Sequence, residues 1–164
     1  MFGIFGSTIS MTGRRLGLIA ALGSLGIMIA ALGFQYIGDL PPCKMCYWQR
    51  YPHITAIGIG GLFLFFAYRG LLLLGALSAL TTGVIGVYHV GVEQKWWQGP
   101  DTCTSSFTDG LSVDQLLDQI MTAPLVRCDE IAWSLMGVSM AGWNAIVSFA
   151  LAFLWVTAFR SSKA

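Results

Sequence analysis

Long apolar runs separated by short polar segments constrain this chain more than any other feature. Residues 16–38, 71–92 and 135–159 are each long enough to cross the roughly 30 Å hydrocarbon core of a bilayer, which takes about 20 residues in a helix. A fourth run, residues 54–68, has only 15 residues and would span about 22 Å as a helix. This run must therefore extend upstream through residues 47–53, and the chain is predicted to cross the membrane four times.

The composition supports the same interpretation. Hydrophobic residues make up 55% of the 164 residues and charged residues only 10%, whereas soluble domains carry about 25% charged residues. The net charge of +1 argues against nucleic-acid binding. We therefore expect a single all-α membrane domain over residues 1–164, a four-helix bundle with spans at about 16–38, 47–68, 71–92 and 135–159.

The distribution of charge predicts the orientation of these spans. An even number of spans places both termini and the turn at residues 69–70 on one side of the membrane. That side holds five basic residues and no acidic one: Arg14, Arg15, Arg69, Arg160 and Lys163. The other side holds four basic residues and all eight acids. Basic residues favour the cytoplasmic side, so both termini are predicted to be cytoplasmic.

Two outer segments connect the spans, at about residues 39–50 and 93–133. The longer one contains a predicted helix over 112–121, where Ser112 and Gln115 form a capping box. An apolar stripe follows at helical spacing: Val113, Leu116, Leu117, Ile120 and Met121. We interpret it as an amphipathic helix that lies on the outer membrane surface or packs on the end of the bundle.

All four cysteines fall in these outer segments, Cys43 and Cys46 in the first, and Cys103 and Cys128 in the second. A Cys-x-x-Cys pair in a first helical turn has its two sulfurs within disulfide reach, and the helix N-terminus stabilises a thiolate. Arg50 lies four residues after Cys46, on the same helix face. It could stabilise that thiolate or bind a quinone carbonyl, or it could simply extend to lipid phosphate.

Two other interpretations of the cysteines stay open at this point. In the first, both pairs are structural disulfides; a Cys103–Cys128 bridge would contribute about 3–4 kcal/mol, whereas a Cys43–Cys46 bridge closes too short a loop to stabilise much. In the second, the cysteines bind zinc, although zinc sites usually combine two Cys-x-x-Cys units and the second pair here is widely split. We expect no metal.

Two histidines, His53 and His89, are predicted near the outer ends of the second and third spans. Facing imidazoles could bind haem, or they could be polar groups satisfied inside the bundle. Ionisable residues inside a membrane are usually functional, so His89 is a candidate quinone-binding residue. The sequence assigns no role to Lys44, Met45, His53 or Glu93.

Three motifs together resemble the DsbB family of bacterial inner-membrane disulfide bond formation proteins. The first is Pro-Pro-Cys-Lys-Met-Cys-Tyr-Trp-Gln-Arg at 41–50, and the second is Tyr-His-Val-Gly-Val-Glu at 88–93 followed by Trp-Gln-Gly-Pro-Asp-Thr-Cys at 97–103. The third is Cys-Asp-Glu-Ile-Ala-Trp at 128–133 followed by Ser-Met-Ala-Gly-Trp-Asn at 139–144. The resemblance covers almost the whole chain, in order.

The resemblance implies a redox-active pair of disulfides, Cys43–Cys46 and Cys103–Cys128, on the periplasmic face of the inner membrane. A soluble DsbA-like oxidase of the thioredoxin fold would attack Cys103, and the released Cys128 would open Cys43–Cys46. Cys46 would then reduce ubiquinone or menaquinone beside Arg50.

A vitamin-K-epoxide-reductase-like quinone reductase is a related alternative, although there the loop cysteines should precede the Cys-x-x-Cys. A scaffold or haem-binding subunit is the alternative from another class.

Overall fold

The computed structural model describes residues 10–100, 103, 112–114, 117, 121 and 126–162. Within these residues each of the four apolar runs contains one long helix: α1 (Met11–Tyr36), α2 (Lys44–Phe66), α3 (Arg69–Glu93) and α4 (Met140–Ser161). Three of them, α1, α3 and α4, are long and apolar enough to cross a membrane. The first three turns of α2 are more polar, since they contain Lys44, Gln49, Arg50 and His53.

The helices form a four-membered bundle in which each packs against two neighbours. α3 packs against α2 and α4, α1 packs against the same two helices, and α1 and α3 face each other across the bundle with little contact. The core near the chain termini contains the fully buried side chains of Phe63, Leu72 and Trp155. Gly75 permits this close packing, because a Cβ there would lie 2.6 Å from the Trp155 indole. Small residues thus let the helix backbones approach.

Side-chain caps and a left-handed residue set the helix ends. Ser10, Cys43 and Ser139 are the N-caps of α1, α2 and α4, and each accepts a hydrogen bond from the backbone N–H three residues later. Ala67 ends α2 with φ +47°, and α3 begins two residues later at Arg69. The hairpin between α2 and α3 is therefore tight, and its two connecting residues, Ala67 and Tyr68, precede the turn predicted at residues 69–70.

Hydrogen bonds join the start of α1, the end of α4 and the α2–α3 turn at one end of the bundle. The Ser10 hydroxyl donates to the Ser161 carbonyl at 2.6 Å, and Arg69 donates to the Phe159 carbonyl at 3.1 Å. All four cysteines lie elsewhere: Cys43 and Cys46 begin α2 at the opposite end, and they share a buried cluster with Cys103 and Cys128. The end of the bundle that holds Arg14, Arg69 and Arg160 is called the basic end, and the opposite end, which holds the four cysteines, is called the cysteine end.

The structure corrects the predicted start of the last helix. Residues 135–139 are not helical, because Ser134–Leu135 (β1) and Val138–Ser139 (β2) pair as an antiparallel hairpin. Met136 and Gly137 form its turn with φ values of +53° and +76°, which a helix does not allow. α4 accordingly begins at Met140, five residues later than predicted.

Half of the predicted helix over 112–121 lies outside the described residues. Val113, Asp114, Leu117 and Met121 are described, and they are helical and exposed.

Candidate functional site

The first cysteine pair is built into the start of α2. Cys43 is the N-cap residue, and its sulfur accepts the backbone N–H of Cys46 at 3.2 Å. The two sulfurs lie 2.8 Å apart, with Cys43 buried and Cys46 partly exposed. The pair therefore needs little movement to form a disulfide, whose S–S bond is about 2.05 Å long.

The two sulfurs of this pair have different surroundings. The hydrogen bond to the Cys46 side chain, followed by burial, raises the pKa of the Cys43 thiol. One hydrogen bond joins the two sulfurs, and either sulfur could donate it. Cys46 is also the more exposed sulfur and the one followed by Arg50 on the helix. Cys43 is therefore the enclosed sulfur of the pair and Cys46 the accessible one.

The second pair, Cys103 and Cys128, is joined by a disulfide with Cα atoms 5.3 Å apart. The backbone N–H of Cys128 donates to the Cys103 carbonyl at 2.9 Å, and the N–H of Cys103 donates to the Pro100 carbonyl at 2.8 Å. Both sulfur-bearing residues are buried, and they share a cluster with Cys43, Met45 and Val92. The long outer segment thus folds back onto the start of α2.

His89, from the last turns of α3, lies between the two pairs. Its Nε2 atom is 3.2 Å from the Cys128 carbonyl oxygen and 3.7 Å from the Cys43 sulfur. Its Nδ1 atom is 2.8 Å from the Gln49 amide nitrogen. Because Gln49 donates to Nδ1, the ring proton must be on Nε2, which donates to the Cys128 carbonyl. The ring therefore connects both cysteine-bearing segments in one defined tautomer.

A chain of buried polar groups continues from His89 into the bundle. The Asn144 amide donates to the Gln49 side-chain oxygen at 2.8 Å, and His53 Nε2 lies 2.9 Å from the Asn144 oxygen. Thr82 closes the network, since its hydroxyl donates to the Gln49 carbonyl at 2.9 Å. All three helices α2, α3 and α4 contribute, so the network fixes the position of His89 from the side away from the sulfurs.

A cavity of about 270 Å³ opens beside the first pair, and Cys46, Arg50 and His89 are among the residues that line it. The Arg50 guanidinium donates to the Gln35 side chain at 2.6 Å and to the Ala31 carbonyl at 3.1 Å, so it is held against α1. Most of the remaining wall is apolar, and it includes Ile27, Met28, Phe34, Trp133 and Val147. Such a volume suits a small ring with an apolar surface.

Ion pairs fix the position of Asp129, the residue that follows Cys128. Asp129 accepts from Lys95 at 2.5 Å and from Arg127 at 2.7 Å, and Lys95 also donates to the Asp129 carbonyl at 2.8 Å. The hydrogen bond from Arg127, with a further one from Lys95, lowers the pKa of Asp129 below its usual range. These contacts tie the residue after Cys128 to the end of α3.

Glu93 is a buried acid at the end of α3. It accepts a hydrogen bond from the Ser139 hydroxyl, and its other oxygen is 4.0 Å from His89 Nε2. The Ser139 oxygen also caps α4, so Glu93 joins the third and fourth helices close to the sulfurs.

The structure brings together every residue that the sequence proposes for the site: Cys43, Cys46, Arg50, His89, Cys103 and Cys128. His53 lies deeper, at the far end of the polar network. Gln49 and Asn144, which orient His89, were not predicted. Both belong to the motifs quoted above, but their pairing spans 95 residues, and no local pattern signals it.

An apolar helical bundle that gathers two cysteine pairs around one buried histidine is the architecture of a membrane protein for thiol–disulfide exchange. The family model described as disulfide bond formation protein DsbB matches residues 13–158. The chain therefore belongs to the DsbB family, and it is a membrane disulfide-forming oxidoreductase.

Relatives named disulfide bond formation protein B support this assignment. The protein of Dechloromonas aromatica is 34% identical over 77% of this chain and 79% of its own length. That of Albidiferax ferrireducens is 30% identical over 87% of each chain, and that of Shewanella amazonensis is 33% identical over 93% and 94%. The similarity thus extends over most of both chains.

Proposed function

We propose that this protein oxidises a soluble thioredoxin-like dithiol oxidase of the periplasm and passes the electrons through its two cysteine pairs to a membrane quinone. The observation that carries the proposal is the position of His89. Its Nε2 atom lies 3.2 Å from the Cys128 carbonyl and 3.7 Å from the Cys43 sulfur, so the two pairs meet at one ring.

The first exchange takes place at the Cys103–Cys128 disulfide. A thiolate of the partner attacks the Cys103 sulfur, a new disulfide forms between the two proteins, and Cys128 leaves as a thiolate. Cys128 is held beside Cys43 by the His89 contact and by the ion pairs of Asp129. The released sulfur therefore faces the second pair.

The second exchange takes place at the Cys43–Cys46 disulfide. The Cys128 thiolate attacks Cys43, a Cys43–Cys128 disulfide forms, and Cys46 leaves as a thiolate. The second partner thiol then attacks the interprotein disulfide, which releases the oxidised partner and a Cys103 thiolate. Cys103 next attacks Cys128 of the Cys43–Cys128 bridge, which restores Cys103–Cys128 and leaves Cys43 and Cys46 reduced. One partner dithiol has by then delivered two electrons to Cys43 and Cys46.

The cavity beside Cys46 fits a quinone head group. Its wall is mainly apolar, Arg50 lies in that wall as a hydrogen-bond donor for a ring carbonyl, and His89, the other candidate quinone-binding residue, also lines it. A quinone bound there would accept two electrons and two protons from the Cys43 and Cys46 thiols, which would return to the disulfide. Ubiquinone and menaquinone share the carbonyls that this site would recognise.

In this proposal α2 is a fourth membrane span, and the protein lies in the bacterial inner membrane. The basic end of the bundle, with Arg14, Arg69 and Arg160, faces the cytoplasm together with both termini. The cysteine end faces the periplasm, where disulfides persist.

The proposal is tested with the detergent-purified protein. The protein is reduced, the reductant is removed without oxygen, and a ubiquinone analogue is added while quinone absorbance and free thiols are followed. Loss of one quinone for each two thiols supports the proposal. Unchanged quinone and stable thiols contradict it, and a Soret band in the purified protein would support a haem-binding subunit instead.

A further inference from the structure

Three potential metal ligands from distant parts of the chain converge at the cysteine end. The sulfurs of Cys43 and Cys128 and a ring nitrogen of His89 all lie within 4.8 Å of one another, and all three residues are buried. In a tetrahedral zinc site, Zn–S bonds of about 2.3 Å and Zn–N bonds of about 2.0 Å place ligand atoms roughly 3.5–3.8 Å apart. The 3.7 Å between Cys43 and His89 Nε2 already matches that spacing.

Cys46 lies outside this group of three and is the candidate for a fourth ligand. Its sulfur lies 2.8 Å from that of Cys43, and a modest separation to about 3.8 Å would let both sulfurs bind one ion. The resulting set of three cysteines and one histidine is among the commonest for structural zinc. The spacing of the cysteines along the sequence disfavours zinc, but the fold brings Cys128 back beside the Cys-x-x-Cys turn.

The oxidation state of the protein decides whether this ligand set exists. In the structure Cys128 is bonded to Cys103, so its sulfur has no thiolate to offer. Cys43 and Cys46 are free cysteines in the structure, so reduction of the Cys103–Cys128 disulfide, which consumes two electrons and two protons, completes the set of free sulfurs. Binding of Zn²⁺ then displaces three thiol protons, and no other co-reactant is needed.

We propose that the fully reduced protein binds one Zn²⁺ ion through Cys43, Cys46, Cys128 and His89, and that either disulfide abolishes the site. The bound ion holds the reduced thiols and blocks their oxidation. The site is independent of the partner and of the quinone, so it stands or falls separately from the proposed function.

The surroundings of the four ligands support the site. Ligation through Nε2 moves the ring proton of His89 to Nδ1, where the Gln49 amide oxygen accepts it if the Gln49 and Asn144 amides rotate together and the His53 ring proton moves to its other nitrogen. Three thiolates and Zn²⁺ carry a net charge of −1, and Arg50 follows Cys46 by one helical turn. Cys43, Cys46 and His89 line the cavity, which gives the ion a path to the sulfurs.

The test uses two variants that remove the same disulfide but differ in one ligand. Cys103→Ser leaves Cys128 free to bind the metal, whereas Cys128→Ser removes it. Each full-length protein is purified in detergent, reduced with dithiothreitol, desalted without oxygen and titrated with Co²⁺. Thiolate-to-cobalt absorption reports the ligands, and Zn²⁺ displaces the cobalt. Circular dichroism of both variants shows that the comparison is made between folded proteins.

We expect one Co²⁺ per chain in the reduced wild type and in Cys103→Ser, and none in the oxidised wild type. Cys128→Ser and His89→Ala should bind at least about 100-fold more weakly, more than loss of an outer-shell contact usually costs. Zinc should also protect Cys43, Cys46 and Cys128 from alkylation while Cys103 still reacts. Equal binding by Cys103→Ser and Cys128→Ser, or no thiolate–cobalt absorption in the reduced wild type, would overturn the proposal.

Discussion

The two cysteine pairs are held in place in different ways. Cys43 and Cys46 belong to one helical turn, and the backbone of α2 fixes the distance between them. Cys103 and Cys128 come from an outer segment of the chain. Apart from their own disulfide, one backbone hydrogen bond joins them, and Cys128 is fixed to the bundle by His89 and the Asp129 ion pairs. One pair is part of a helix, and the other is docked onto it.

This difference matches the two tasks in the proposed function. A pair that exchanges with a soluble protein must accept a foreign sulfur, and a pair supported by a few side-chain contacts can shift when its disulfide opens. A pair that reduces a quinone must keep one sulfur at a fixed place beside the cavity, which a helix terminus achieves. The predictions below test this division, beginning with the largest expected effect.

Replacing Cys46 by serine should reduce quinone reduction to background, a loss of roughly 10⁴-fold or more, because a hydroxyl cannot deliver the electrons. The measurement is anaerobic quinone absorbance with the prereduced variant. Cys103→Ser is the matched control, since it loses one thiol but keeps Cys46. Wild-type activity in Cys46→Ser would rule out every thiol mechanism for this protein.

Cys103→Ser should distinguish the function of the Cys103–Cys128 pair from that of the Cys43–Cys46 pair. Turnover with a reduced DsbA-like oxidase should fall to background, because the sulfur that the partner attacks is gone. Quinone should still oxidise Cys43 and Cys46 in the prereduced variant at close to the wild-type rate. Partner-driven turnover at the wild-type rate would show that the docked pair is not the point of entry.

His89→Gln should slow formation of the Cys43–Cys128 disulfide by about 100-fold, because a misplacement of about 1 Å is enough for such a loss. Rapid acid quench followed by alkylation and mass spectrometry measures the bridge. His53→Gln is the control, since it changes a buried histidine of the same network that touches neither sulfur. Similar rates in the two variants would show that His89 does not position Cys128.

Arg50→His should raise the apparent quinone KM by roughly tenfold, equivalent to about 1.4 kcal/mol, and leave the KM for the partner unchanged. The reason is that Arg50 lines the cavity, where its two hydrogen bonds to α1 orient it. Steady-state kinetics with each substrate varied in turn provide the measurement. An unchanged quinone KM would mean that Arg50 serves only to anchor α1.

Asp129→Asn should have the smallest effect, a loss of about 1 kcal/mol in the free energy of unfolding, because the ion pairs are partly exposed. Partner-driven turnover should also fall by a few-fold as the hold on Cys128 loosens, while quinone reduction by prereduced protein stays unchanged. Unfolding in detergent and both assays are compared with Glu130→Gln, whose carboxylate is exposed. Equal losses in the two variants would contradict a specific role for Asp129.

The sequence predicts the helices and the first cysteine pair well, because both depend on local patterns. Apolar runs indicate the helices. The spacing of Cys43, Cys46 and Arg50 places all three on one face of a helix, and this placement does not depend on the rest of the fold. The predicted start of α4 was wrong. Leu135 and Val138 are apolar, and composition does not distinguish a short hairpin from a helix.

The meeting of the two pairs could not be derived from local patterns. The contact between His89 and Cys128 joins residues 39 apart, and that between Gln49 and Asn144 joins residues 95 apart. These contacts depend on how the outer segment folds back and how α4 is rotated, neither of which hydrophobic periodicity specifies. The proposed order of disulfide exchange comes from the family resemblance. The structure adds that the His89 ring contacts a residue of each pair, Cys43 and Cys128.

The cap of α2 has a consequence for observing this protein at work. The Cys43 sulfur that would change bonding partner is also the acceptor for the Cys46 amide proton at 3.2 Å. A bond from Cys43 to Cys128 would pull this acceptor away from the helix axis and expose that amide to water. Hydrogen–deuterium exchange at a single backbone position, Cys46, would then follow the oxidation state of the site without any added label.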